Sequence, residues 1–197
     1  MTFQVHFATA DDAPELTKFI QMAGSGIFEQ LLDGILFGIK AADVLDLAVI
    51  DEQSTLYYEN AIMVEENGQT LGCVLGYPAG EYGLPPVIRT MARKSRLAPL
   101  KKLFESRLDE SFYINTLAVK EDERGRGIAG ILLDVVAGIA VERKFTTLSL
   151  HAWSDYEPAM AVYRSFGFDV VDEINIPTSK YLHHKGPIVL MSATSAP

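Results

Sequence analysis

Residues Glu123–Gly130 read ERGRGIAG. Gly125, Gly127 and Gly130 spell GxGxxG, a glycine triad that opens a helix and cradles a pyrophosphate in dinucleotide-binding folds. The same letters also spell Arg-x-x-Gly-x-Ala across Arg124, Gly127 and Ala129. The two spellings imply different phosphate ligands, and the flanking sequence decides between them.

A dinucleotide fold places its first glycine directly at the end of its first strand. After the helix it runs a second strand that ends in an acidic residue about 20 positions on. Here the β-branched and aromatic run SFYINTLAV (Ser111–Val119) is followed by the charged turn KEDE before Gly125. The strand after the helix, TTLSLH, ends at His151. The upstream stretches NAIMVEE and QTLGCVLGY flank Asn67-Gly68, the strongest short hairpin signal, so they read as antiparallel neighbours. Too little chain remains for a doubly wound sheet, and no Gly-Lys-Ser/Thr completes a Walker A loop. What survives is an anion seat. Glycines at a helix start leave the N–H groups of Arg126 to Gly130 uncovered, and the helix dipole adds positive potential. Arg124 and Arg126 are expected to add full charges.

The rest of the chain predicts strands and helices in a regular order. FQVHF (Phe3–Phe7) alternates as a strand, and Thr9 with Asp12 resembles a capping box opening a helix over about Asp11–Met22. AGSG breaks that helix, and Ile27–Ile50 reads as largely helical with weak points at Gly34 and Gly38. A loop rich in Gly and Pro follows from Pro78, then a helical stretch to Glu110. Its Arg89, Arg93, Lys94, Arg96, Lys101 and Lys102 read as a solvated face or, alternatively, as a lid near an anionic ligand. Ile128, Ile131, Leu132, Val135, Val136 and Ile139 form the apolar stripe of a helix packed on a sheet. A helix over Pro158–Phe166 ends at Gly167, and FDVVDEINI and GPIVLMS close the chain as strands. The last residues, ATSAP, are expected to fray.

At 197 residues, 48% apolar and 22% charged, the chain suits one well-cored globular domain. No apolar run approaches the roughly 20 residues that span a bilayer, and the N-terminus lacks the basic and apolar regions of a secretory signal. The lone Cys73 precludes an internal disulfide and suits a reducing cytoplasm. A net charge of −9 argues against nucleic-acid binding and is compatible with a cationic partner such as an amine.

YINTLAV, a turn, RGRGIAG, an apolar-striped helix and then EPAMAVYRSFGF resemble the GNAT superfamily of acetyl-CoA-dependent N-acetyltransferases. The family's coenzyme signature, Gln/Arg-x-x-Gly-x-Gly/Ala, is met by Arg124, Gly127 and Ala129. Its Tyr-x-x-x-Gly-Phe motif is met by Tyr163, Gly167 and Phe168. The element order fits over nearly the whole chain, apart from an insertion at about 78–110 and the tail. The resemblance implies an α/β (α+β) fold with a mixed, mostly antiparallel sheet of about seven strands. Helices would cover both faces, and the central strands would splay at the coenzyme A site. It implies one N-acetyltransferase domain over 1–197, with acetyl-CoA as cosubstrate and no metal. Leu117, Ala118 and Val119 would run beside the pantetheine arm, and Arg124, Gly125, Arg126, Gly127, Ile128, Ala129 and Gly130 would hold the pyrophosphate. Many members carry an Asn seven residues before the motif tyrosine, against the pantetheine; Tyr156 stands there in this chain.

Acetyl transfer to an amine needs a deprotonated nucleophile, an oxyanion donor and a proton donor near the departing thiolate. The resemblance assigns Tyr163 as that donor; on spacing alone a core tyrosine packing the helix onto the sheet is the favoured reading. Members often carry a Glu base on the strand before the signature, where this chain has Tyr113 and Asn115. His151 has a suitable intrinsic pKa. Asp155, Glu65, Glu66 and a water chain are the other candidates. The pair His183-His184 lacks further metal ligands in sequence and would instead flank the acceptor. Cys73 lies in an apolar strand with no activating neighbour. The competing reading is a non-catalytic acyl-CoA-binding module that keeps the phosphate seat. The acceptor is open among polyamines, amino sugars, amino acids and protein amino groups. The assembly is open too, with a homodimer the common soluble form.

Overall fold

A computed structural model of the chain describes residues 2–35 and 37–195. Seven strands form one sheet in the order β1-β2-β3-β4-β5-β7-β6. They are β1 (Gln4–Phe7), β2 (Ala61–Glu66), β3 (Gln69–Pro78), β4 (Phe112–Val119), β5 (Thr147–Trp153), β6 (Asp169–Ile174) and β7 (Ile188–Thr194). Only β4 and β5 pair in parallel; every other neighbour is antiparallel. The mixed, mostly antiparallel sheet expected from the sequence is therefore present. Asn67 and Gly68 both adopt positive φ, at 53° and 75°, so the β2–β3 connection is the tight turn that its two letters announce.

Helices α1 (Ala13–Gly24), α2 (Ile27–Leu32), α3 (Ala41–Val49), α4 (Pro86–Met91), α5 (Lys94–Leu97) and α6 (Lys101–Glu105) precede β4 in the chain. Leu16, Phe19 and Ile20 of α1 and Leu45 of α3 pack with Met63 and Tyr77 on one face of the sheet. Helices α7 (Ile128–Glu142) and α8 (Glu157–Ser165) cover the other, where Leu132, Val136 and Met160 meet Leu148, Phe168 and Met191. On α7 the most buried side chains are Ile128, Leu132, Leu133, Val136, Ala137 and Ala140. The stripe is thus rotated slightly from the expected one, and Ile131, Val135 and Ile139 lie half-buried on its flank.

The centre of the sheet comes apart by design of its register. Along β3 and β4, Leu75 faces Thr116 and Gly76 faces Ile114, so Asn115 has no opposite number and forms a β-bulge. Pairing of β4 with β5 covers only Phe112–Ile114 against Leu148–Leu150. Beyond Ile114 and Leu150 both strands continue, to Val119 and Trp153, without pairing to each other. The bulge sits where the pairing stops. The result is a V-shaped gap that opens between the two helix layers.

Several expectations are corrected. The segment 27–50 is two helices separated by residues 33–40, where Gly34 and Gly38 take φ of 70° and 79°; Leu36 lies outside the described residues. The single helical stretch expected before Glu110 is three short helices: Ala92 and Arg93 take extended backbone between the first two, and the 3-10 turn Ala98–Leu100 joins the second to the third. None of its six basic side chains lines the cavity described below. Arg93, Arg96 and Lys102 instead donate to the carbonyls of Ile35, Gln30 and Glu173 and pin the insertion to its neighbours. The end of the chain is more ordered than expected. Strand β7 reaches Thr194, and Ser195 is buried with its N–H on Thr146 O; Ala196 and Pro197 lie outside the described residues. The capping motif is present in its backward half: Asp12 Oδ2 accepts from both Thr9 N–H and Thr9 Oγ1.

One glycine ties the two ends of the fold together. Gly26, at φ 93°, lies so close to the β6–β7 connection that an added Cβ would stand 1.9 Å from Tyr181 O. Gly26→Ala should therefore cost about 1–3 kcal/mol for the left-handed backbone alone, plus the clash with Tyr181. Gly34→Ala, at φ 70° with nothing within 4 Å, should show the backbone cost without the clash. Equal urea midpoints for the two variants would contradict this packing.

Candidate active site

The V-shaped gap belongs to a cavity of roughly 800 Å³. Its walls come from both sides of the sheet: Ile20 and Tyr82 from one layer, Ile128, Ala159 and Tyr163 from the other, and Asn115–Val119 from the freed stretch of β4. Backbone groups of β4 that would have faced β5 have no strand partner there. That freed edge can accept an extended amide-bearing chain as a strand would.

At one end lies the start of α7. Gly125 and Gly127 take φ of 78° and 79°, and a Cβ at Gly125, Gly127 or Gly130 would meet nothing within 4 Å. Glycine is required at the first two positions by the backbone; at Gly130 it leaves the approach open. No side chain caps α7, and no carbonyl takes the N–H groups of Ile128, Ala129 or Gly130. Those three donors and the helix dipole point to one concave spot beside Arg124. The structure places the two arginines differently from each other. Arg124 lines the cavity with its Nε 3.4 Å from Val119 O. Arg126 turns away: it forms a bidentate pair with Glu66 at 3.0 and 2.8 Å, a second pair with Glu123, and stacks over Phe3. Its guanidinium braces the loop against β2 and is not among the residues that line the cavity. Glu66 is thereby engaged, Glu65 accepts from Thr70, and neither lines the cavity.

Tyr163, on the cavity-facing side of α8, is buried against Phe168. Its hydroxyl has no hydrogen-bond partner among the described residues. Burial pushes the phenol up to about 12, so it stays protonated through the physiological range. Tyr156 also lines the cavity, its ring 5.2 Å from that of His184.

His151 and Tyr113 meet at the base of the gap, with Nδ1 2.9 Å from Tyr113 Oη. The His151 Nε2 is covered and has no partner. Burial pulls the imidazole down to about 4, so it is neutral at physiological pH but a weak proton acceptor. Asp155 is occupied elsewhere: its carboxylate accepts from the N–H groups of Lys185 and Gly186 and pairs with His184 at 3.1 Å. Those N–H groups hold it below the usual carboxylate range. Cys73 is fully buried, and burial alone pushes its thiol up. Among the described residues, one trio of metal-ligand type, His6, Asp12 and Glu65, lies outside the cavity lining. Sequence reasoning did not single out Tyr82, Trp153 or Phe28 as cavity walls. They come from loops, a strand end and a short helix that converge only in the fold.

The cavity thus runs from the uncapped start of α7, along the splayed parallel pair, to a protonated phenol. The sequence matches the Acetyltransferase (GNAT) family over residues 38–168, and the chain belongs to that family of acetyltransferases. Solved structures share the fold at low identity. A crystal structure of an acetyltransferase is 21% identical, with a TM-score of 0.71 over 98% of this chain and 99% of that one. An N-acetyltransferase from Staphylococcus aureus Mu50 is 18% identical, with a TM-score of 0.70 over 96% and 100%. The protein yncA from Salmonella typhimurium, solved with its cofactor acetyl-CoA, is 13% identical, with a TM-score of 0.61 over 100% and 96%. No curated protein matches the sequence. No helix among the described residues is long and apolar enough to cross a membrane.

The buried imidazole has a consequence for stability. Between pH 6.5 and about 4 the unfolded chain protonates His151 while the folded chain does not. This group's contribution therefore falls as pH falls through that window, by up to about 1.4 kcal/mol per pH unit. His151→Gln should flatten the loss in urea unfolding between pH 6.5 and 4.5; identical pH slopes in variant and wild type would contradict the assignment.

Proposed function

We propose that the chain is a single N-acetyltransferase domain that moves the acetyl group of acetyl-CoA directly to a primary amine in one ternary complex. The observation that carries this reading is the continuity of one cavity from the uncapped start of α7 to the phenol of Tyr163. The diphosphate would rest on the N–H groups of Ile128, Ala129 and Gly130, with Gly125, Gly127 and Arg124 shaping the approach. The pantetheine amides would pair with the freed edge at Leu117, Ala118 and Val119, and Tyr156 and Tyr163 would flank its sulfur end. The lone buried Cys73 argues against a covalent acetyl-enzyme and suits a reducing cytoplasm.

Magnitudes assign the proton steps. A thiolate leaving group has a conjugate-acid pKa of about 8.5. A phenol near 12 gives such a sulfur a hydrogen bond but transfers its proton uphill. Tyr163 is therefore read as a donor that stabilises the departing sulfur, which then collects the proton lost by the amine. Among the described residues the one carboxylate lining the cavity is Glu123, at the α7 end and bound by Arg126. His151, held to about 4, accepts only from the strongly acidic ammonium of the tetrahedral adduct, and otherwise the proton leaves by water. The amine must thus arrive neutral.

The reading is tested by Tyr163→Phe. Turnover should fall roughly 10²-fold while the Kd for acetyl-CoA stays within about twofold. Unchanged kcat removes Tyr163 from the chemistry. A wild-type protein that binds acetyl-CoA and releases no free thiol with any amine favours the binding-module reading instead.

A further inference from the structure

The cavity has a second half that the coenzyme does not need. Beyond Tyr113 and His151 it is walled by Ile27, Phe28, Tyr82, Leu84, Phe104 and Trp153. Tyr82 packs against Tyr113 with ring centroids 4.6 Å apart, and against His151 at 5.6 Å. Trp153 stacks with His184 at 5.4 Å. This half is aromatic on three sides.

It is also nearly free of charge. Of the Asp, Glu, Lys and Arg side chains only Glu123 and Arg124 line the cavity, both at the α7 end, while Ser25, His183 and His184 are the polar side chains of the far end. Glu123 is already bound by Arg126. Asp155, outside the lining, is spent on His184 and two backbone N–H groups, and Asp172, whose charge reaches His151, accepts from Ser106 Oγ and Glu173 N–H. A polyamine entering here would bury its second ammonium without a counter-charge, a cost of several kcal/mol. An amino sugar would strip its hydroxyls of water against rings and aliphatic chains. Asn115 and Thr116, the polar side chains at the bulge, are already bonded to Tyr77 Oη and to each other.

The far wall is tied down. The α1–α2 turn is strapped to the β6–β7 connection: His183 N–H donates to Ser25 O at 3.1 Å, Ser179 Oγ bonds Gln30 Oε1, and Gly26 lies against Tyr181. Arg96 stacks over Tyr181 and donates to Gln30 O, which fixes the strap from outside.

We infer that the acceptor is a small amine on an aromatic body with no second charge, seated between Phe28, Tyr82 and Trp153. The inference rests on the acetyl-transfer reading and narrows it. The rings supply offset and edge contacts to an aromatic body, and their faces tolerate an amino group in either protonation state.

The test uses the full chain with acetyl-CoA and follows free thiol with phenethylamine, spermidine, glucosamine and a short peptide with a free N-terminus. Phenethylamine should exceed each of the others in kcat/KM by about 100-fold, the worth of one buried aromatic ring. Phe28→Ala should raise the KM for phenethylamine about tenfold and leave the KM for acetyl-CoA unchanged. Spermidine, glucosamine or peptide turned over as well as phenethylamine overturns the acceptor class and leaves acetyl transfer standing. An unaltered phenethylamine KM in Phe28→Ala overturns the placement. Thiol release from none of the four, with acetyl-CoA shown to bind by calorimetry, overturns the transferase reading and this inference with it.

Discussion

Strands β4 and β5 are paired over three residues each and then part, and the rest of the site follows from that interruption. A parallel pair in the middle of a sheet is ordinarily sealed by hydrogen bonds along its length. Here the bulge at Asn115 shifts the register of β4 on its other neighbour, and pairing to β5 ends one residue earlier, at Ile114. The strand ends diverge with the two helix layers already packed on opposite faces. A gap between them therefore connects the two layers. Without the bulge there would be a continuous sheet and two separate cores.

The elements around the gap contribute different physics at different depths. At its mouth, α7 offers backbone donors and a dipole, both made accessible by glycines that need a left-handed backbone. Along its length, β4 offers an unpaired edge. At its base, the low-dielectric surroundings shift every ionisable group toward its neutral form: Tyr163 upward, Tyr113 upward, His151 downward. A site so arranged holds charge at one end and excludes it from the other. That gradient fits a cosubstrate with an anionic tail and a neutral reacting head.

The parts legible in sequence were those encoded over a few adjacent residues. The glycines at 125, 127 and 130 and the tyrosine at 163 sit in local patterns whose geometry is dictated by a strand, a turn and a helix in succession. The Asn67-Gly68 hairpin is another of this kind. The parts that escaped depend on residues far apart in the chain. The pairing of Arg126 with Glu66, 60 positions upstream, is one of these. The bulge at Asn115 is a relation between two strands and has no signature within either. His151 carries an ordinary pKa in sequence; only the packing of Tyr82 and Tyr113 around it removes its value as a base near neutrality. The insertion's basic residues look like a lid because their carbonyl partners lie on other elements.

The measurement that bears most directly on this account is the structure of the protein in complex with a hydrolysis-resistant acetyl-CoA analogue. The account requires the diphosphate oxygens within about 3 Å of the N–H groups at the start of α7 and the sulfur beside Tyr163 Oη, with the pantetheine between β4 and β5. A diphosphate bound elsewhere, or a pantetheine running over the surface with β4 and β5 closed together, would contradict it.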